Sequence, residues 1–234
     1  TYTTFNLREL VKEVVLRLAG RSNRAVRQLE LTYGGGKTHA LIALYHLVEA
    51  SGNLPDLPAV DEFCEHIGQQ PPEARVATLT FDKLDAERGM LVVDPDGNRA
   101  RFDFPWSVMA YQLAGEKGLK ALGMDGREER ETPPAENVVR EILELPLEDE
   151  LAPLILIDEV LMWARTKVGV DSVWGQRLQD FFQCLTQAAT KTDRCAIVAS
   201  LLATEPSKSD ELGRGITGDL FDVFQRQEEK PVEP

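Results

Sequence analysis

The sequence is short of cations. Its 26 Lys and Arg face 39 Asp and Glu, a formal net charge of −13, which excludes a general electrostatic grip on nucleic acid or anionic lipid. Cysteine is also scarce. Cys64, Cys184 and Cys195 are widely spaced and lack any CxxC or Cys/His pairing, so neither a disulfide framework nor a zinc cluster is indicated, and the three read as reduced, mostly buried thiols. With aromatics at 7%, Trp106, Trp163 and Trp174 read as core or interface residues rather than base-stacking platforms, given their acidic surroundings. No cationic start leads into an apolar signal core, and no apolar run reaches the roughly 18 residues a bilayer demands; the expected location is the cytoplasm, with no membrane partner. No NKxD-type guanine-reading sequence is present. The chain starts without Met and ends in EEKPVEP, so it reads as a piece of something longer.

What is present is enough apolar material to fold. Across 234 residues, 43% are hydrophobic, sufficient for one large α/β domain or one domain with an appendage. Charge is unevenly divided: Arg8, Lys12, Arg17, Arg21, Arg24, Arg27 and Lys37 outnumber Glu9, Glu13 and Glu30 in the first forty residues, leaving a local basic patch possible on a strongly acidic chain.

Apolar spacing predicts an amphipathic helix over 6–19, stopped by Gly20, and a strand over 26–32 running into Gly34-Gly35-Gly36. A helix from Thr38 ends near Ser51-Gly52-Asn53. Residues 75–81 read as a strand. Residues 90–93 and 99–104 flank the turn 94–98 as a hairpin, inserted near 88–105. Short helices are expected at 107–113 and 135–145, and the wholly apolar run 154–157 suits a buried parallel strand. A helix over 173–190 and a strand over 195–202 follow, then a loop at 207–218 and a short final strand at 227–232. Strands alternating with helices predict βαβ units around a parallel sheet, divided into an N-terminal helix and linker (1–25) and a core (26–234).

Successive glycines let backbone N–H groups converge on a phosphate at the dipole-positive start of a helix. Gly34, Gly35 and Gly36 supply this, flanked by Tyr33 and His39 among the nucleotide-contacting positions. Lys37 then reaches the β- and γ-phosphates, and the Thr38 hydroxyl ligates Mg²⁺. The full GxxxxGK[ST] pattern asks for glycine where this chain has Leu31, and glycines alone would equally suit a flexible turn. The second motif narrows the choice. Leu154-Ile155-Leu156-Ile157 runs into Asp158, placed to hold Mg²⁺ through water, and Glu159, placed to polarise the attacking water. In isolation, two acids after a strand would be a solvated strand end.

At the end of the next strand, Ser200, or failing it Thr204, is placed to sense the γ-phosphate, and either could instead cap a strand. Arg214 and Arg226 lie where an arginine finger for a neighbouring subunit's nucleotide often sits, although a solvated arginine is the commoner role. His39 and His46 lack metal-ligand company and read as packing or capping residues.

Tyr2-Thr3-Thr4 with Leu7, Arg17-Leu18-Ala19-Gly20, GGGKTHALIALYHL from Gly34 to Leu47, Trp106-Ser107 with AYQLAG from Ala110 to Gly115, and LILIDEVLMWAR from Leu154 to Arg165 together give the family resemblance. The chain resembles the large bacterial and archaeal AAA-type ATPases long catalogued only as a domain of unknown function. The resemblance covers most of the chain and implies ATP and Mg²⁺ as ligands, with Lys37, Thr38, Asp158 and Glu159 in the nucleotide roles. It also implies a setting beside DNA methyltransferases, helicases or nucleases in restriction-like and phage-defence clusters. By the same resemblance, the helical lid and later domains of such proteins are expected to lie outside this chain.

The expectation is therefore a three-layer parallel-sheet P-loop NTPase of AAA type that hydrolyses ATP to move neighbouring segments, with a homo-oligomer and DNA-modifying partner proteins as possible company. A nucleotide-dependent switch with little turnover is the first alternative, and a kinase or GTPase the second. DNA translocation has only Arg17, Arg21, Arg24 and Arg27 as local support.

Overall fold

Residues 5–29, 37–49, 51–53, 58–124, 128–200 and 211–228 are described by the computed structural model. Helix α1 (Phe5–Leu18) forms where apolar residues recur at helical spacing, and it buries Val11, Val14, Val15 and Leu18. It ends at Gly20, whose φ of 73° lies in the left-handed region that terminates helices cheaply only at glycine. Strand β1 (Val26–Gln28) is the start of the strand expected over 26–32; its expected end and the three loop glycines lie outside the described residues. Then come α2 (Lys37–Glu49), α3 (Pro58–Ile67) and β2 (Ala74–Thr80). The hairpin β3 (Met90–Val93) and β4 (Arg99–Phe102) is antiparallel, as expected. After it lie α4 (Pro105–Ala121), α5 (Glu136–Glu144), β5 (Ala152–Asp158), α6 (Val160–Val170), α7 (Val173–Lys191), β6 (Ala196–Ser200) and α8 (Glu211–Glu228).

The main sheet is parallel, in the order β1-β6-β5-β2. Alternation along each strand divides its side chains between two cores. Leu154, Leu156, Ala196 and Val198 pack with α1 and α2. Ile155, Ile157, Ile197 and Ala199 pack on the other side with residues of α4 to α8, including all three tryptophans. Helices thus cover both faces, which is why β5 is buried at every position.

Several elements differ from the sequence expectation. The helix expected at 107–113 begins at Pro105 and runs on to Ala121, broken at Ala114 and Gly115, where φ and ψ leave the helical region. Gly115 has φ 54° and ψ −135°, open in practice only to glycine. After the break the chain passes so close to Ala110 that a Cβ on Gly118 would lie 2.1 Å from its carbonyl oxygen. These two glycines, which read as turn residues, let the helix fold against itself.

The loop expected at 207–218 is corrected over 211–218, and the strand expected at 227–232 over its first two residues. Residues 211–228 form α8; residues 207–210 and 229–232 lie outside the described residues. Gly213, Gly215 and Gly218 made the stretch read as loop, but burial of Leu220, Val223 and Phe224 at helical spacing outweighs their weak propensity. α3 and α6 were not anticipated. In α6 the buried Val160, Leu161, Trp163 and Ala164 join the core beside α7 and α8, directly after the apolar strand.

Folding thins the basic N-terminal patch, drawing Arg17 and Arg27 inside while Arg8, Arg21 and Arg24 stay exposed. Arg17 is buried, and its guanidinium donates to the carbonyls of Cys195 (2.9 Å), Ser22 (3.1 Å), Ala189 (3.2 Å) and Thr192 (2.7 Å). Burial lowers its pKa, with Cys195 and Asp193 opposing. Arg27 is buried beside Glu13, which also pairs with Arg24 at 3.0 Å. Two of the four arginines that could have held DNA are therefore internal.

Candidate functional site

Parallel register places Thr80, Asp158 and Ser200 in one row, at the carboxyl ends of three adjacent strands. By alternation their side chains project to the α2 side of the sheet, the side of Leu156 and Val198. Open α/β sheets bind their ligands at this end of the strands. From the first turn of α2, the Thr38 hydroxyl donates to the Asp158 carboxylate at 3.0 Å. The two residues are 120 apart in sequence, so only the tertiary fold joins them.

Glu159 follows as the N-cap of α6, in the left-handed conformation at φ 58° and ψ 37°. Such a backbone costs a non-glycine residue on the order of 1 kcal/mol and collects at functional sites. Burial raises its pKa, and the charges of Asp82 and Asp158 raise it further. Glu159 is half-buried one residue beyond the strand and is not among the residues lining the cleft.

A cleft of about 200 Å³ opens beside this row. α2 supplies Thr38, Ile42, Tyr45 and His46 to it, and the β2 side supplies Thr78, Thr80 and Lys83, with Asp158 between. The strand itself was legible over 75–81, but nothing in the sequence marked Thr78 and Thr80 as site residues, although period two puts both hydroxyls on one face. Ile42 is 50% exposed, and Tyr45, hydrogen-bonded to Glu49, has its pKa pushed up to about 12 by burial and then by that carboxylate.

Of the residues expected from sequence, Thr38 and Asp158 meet, Glu159 is adjacent and Ser200 stands in the same row. Lys37 begins α2 and is half-buried. Tyr33, Gly34, Gly35, Gly36 and Thr204 lie outside the described residues. His39 and His46 are both exposed; the His46 ring packs edge-on against Tyr45, with centroids 5.3 Å apart, and lines the cleft. Arg226 is exposed on α8, 4.0 Å from Asp222, and is not among the cleft residues. Arg214 falls in the first turn of α8. Trp106, Trp163 and Trp174 are core residues. Cys64 and Cys195 are buried, Cys184 is half-buried, and all three are free thiols.

A hydroxyl and a carboxylate within 3.0 Å are hard oxygen donors suited to Mg²⁺, an ion that takes only one or two protein carboxylates and completes its shell with phosphate and water. The donor set fits the ion. Among the described residues no group of three or more His, Cys, Asp or Glu is arranged around a metal, and no helix is long and apolar enough to cross a membrane.

A parallel sheet covered by helices on both faces, with a polar row at its carboxyl edge, defines a three-layer α/β domain. The chain belongs to the DUF499 N-terminal domain family, whose model matches residues 1–229. No curated protein and no solved structure matches it.

Proposed function

We propose that this domain is the nucleotide-binding core of an AAA-type P-loop ATPase, working in the cytoplasm. The observation that carries the reading is the 3.0 Å contact between Thr38 and Asp158. It joins the residue after the lysine of GGGKT to the first acid of the apolar strand, as a shared Mg²⁺ site requires. Strand order adds support. The strand lying between these motifs in sequence, β2, sits outside β5, and the strand that separates β1 from β5 in space is β6. A spacer strand between the loop and the acids suits the branch of these enzymes with a catalytic glutamate.

Glycines 34–36 would present backbone N–H groups to the phosphates, with Lys37 on the β- and γ-oxygens. Bound Mg²⁺ would neutralise phosphate charge, held by Thr38 directly and by Asp158 through water. Glu159 would accept a proton from the attacking water as its oxygen bonds to the γ-phosphorus. The bond to the β–γ bridging oxygen breaks, ADP leaves with that oxygen, and the proton passes on to the phosphate. Ser200, in the same row as Asp158, would sense the γ-phosphate. An arginine such as Arg214 or Arg226 would complete the site of a neighbouring subunit.

The test is ATP turnover by the full-length protein and its Lys37→Ala and Glu159→Gln variants. Loss of at least about 100-fold in each is expected, and undiminished turnover in both would sink the reading. Binding without turnover in the wild type would leave a nucleotide-dependent switch, separable by following assembly size during ATP titration. DNA translocation loses ground, because Arg17 and Arg27 are buried; absence of DNA-stimulated turnover would end it. The defence-cluster setting and DNA-modifying partners rest on family resemblance alone.

A further inference from the structure

Resting on the ATPase reading above, we infer that Lys83 is an in-cis γ-phosphate ligand, a cation supplied by the same chain to the charge that develops during hydrolysis. Three observations place it. Lys83 lines the cleft whose other walls include Thr38 and Asp158. It lies in the turn after β2, where its backbone N–H donates to the carbonyl of Thr80 at 3.0 Å, and Thr80 is the register partner of Asp158. Its side chain is exposed and, among the described residues, has no carboxylate partner, on a chain where acids outnumber bases 39 to 26.

Charge balance calls for such a group. Mg·ATP is still anionic, Asp158 and Glu159 add to the negative charge, and Lys37 offsets only part of it. As the γ-phosphorus separates from the bridging oxygen, charge spreads over its three outer oxygens, and a cation placed there raises turnover most. Lysine, a flexible point charge with three donors, can reach an oxygen from a turn beside the metal site without forming any covalent bond. Arg226, expected to serve a neighbouring subunit's nucleotide, is exposed on α8 beside Asp222 and is not among the residues lining this chain's own cleft.

The test measures affinity as well as rate, on the full-length protein. Mg·ATP and Mg·ADP are titrated calorimetrically against wild type, Lys83→Gln and Lys83→Arg, with single-turnover hydrolysis in parallel. Lys83→Gln should weaken ATP about tenfold and leave ADP within about twofold, because only ATP carries the γ-oxygens. Hydrolysis should slow about 100-fold, and Lys83→Arg should recover most of both losses. An unchanged ATP-to-ADP affinity ratio in Lys83→Gln, with wild type binding both nucleotides, overturns the role of Lys83 alone. Equal weakening of both nucleotides overturns it too, marking a structural effect. A wild type that binds neither overturns the inference together with the reading beneath it.

Discussion

The hydroxyl of Thr38 lies 3.0 Å from the carboxylate of Asp158, bringing the first turn of α2 onto the carboxyl end of β5. If this pair holds Mg²⁺ with nucleotide, Thr38→Ala and Asp158→Asn should each abolish the Mg²⁺ dependence of ATP binding and lower turnover about 100-fold or more. Nucleotide titration with and without EDTA checks this. Equal Mg²⁺ dependence in wild type and both variants would exclude the pair as the metal site.

Arg17 should matter to stability rather than to ligand binding. Its guanidinium ties α1 to three carbonyls around the end of α7 and the start of β6, and to that of Ser22 in the turn after α1. Arg17→Ala strips partners from buried acceptors and should cost about 3 kcal/mol or more. Arg17→Lys should recover little, because one ammonium cannot reproduce the planar fork. Arg24→Ala, at an exposed pair with Glu13, should cost no more than about 1 kcal/mol. Urea unfolding of the three variants gives the comparison.

Gly118→Ala should be among the most damaging single-methyl additions in the chain. The new carbon would meet a backbone carbonyl at 2.1 Å, and backbone cannot swing aside as a side chain can. Destabilisation of about 2–3 kcal/mol is expected, against a negligible change for Gly52→Ala, where a Cβ meets nothing within 4 Å.

Asp94 should give the fold part of its acid sensitivity. Burial alone would raise its pKa, but bonds from Asn98 (side chain and backbone), the Asp96 backbone and the Tyr111 hydroxyl hold it below the ordinary aspartate value. A carboxyl with a depressed folded pKa contributes stability in full above its unfolded value, about 3.9, and loses it as pH falls through the folded value. Asp94→Ala should therefore lower stability by about 2 kcal/mol at neutral pH and narrow its gap to wild type progressively below about pH 4. Denaturation midpoints at a series of pH values measure this; a gap constant down to pH 2 would refute it.

Much of the fold is legible in the sequence. Periodicity marked α1, α2, α7 and the apolar strands because each buries one face or two, and the hairpin was announced by its turn at 94–98. The candidate site was half legible. GGGKT and Asp158-Glu159 stood out because phosphate and metal chemistry demands those residue types next to a strand end. His46, Thr78, Thr80 and Lys83 did not, since neither one histidine nor a Thr-Leu-Thr strand signals what lies opposite it.

By itself the sequence determined the alternation of strands and helices, the buried β5, and which acids end it, because those follow from local spacing and side-chain chemistry. Tertiary structure alone decided that β6 lies between β1 and β5, that Arg17 and Arg27 face inward, that α4 folds back at Gly115, and that 211–228 is a helix despite its glycines. Each depends on which distant surfaces must be covered and which buried carbonyls need a donor, and no local pattern carries that information.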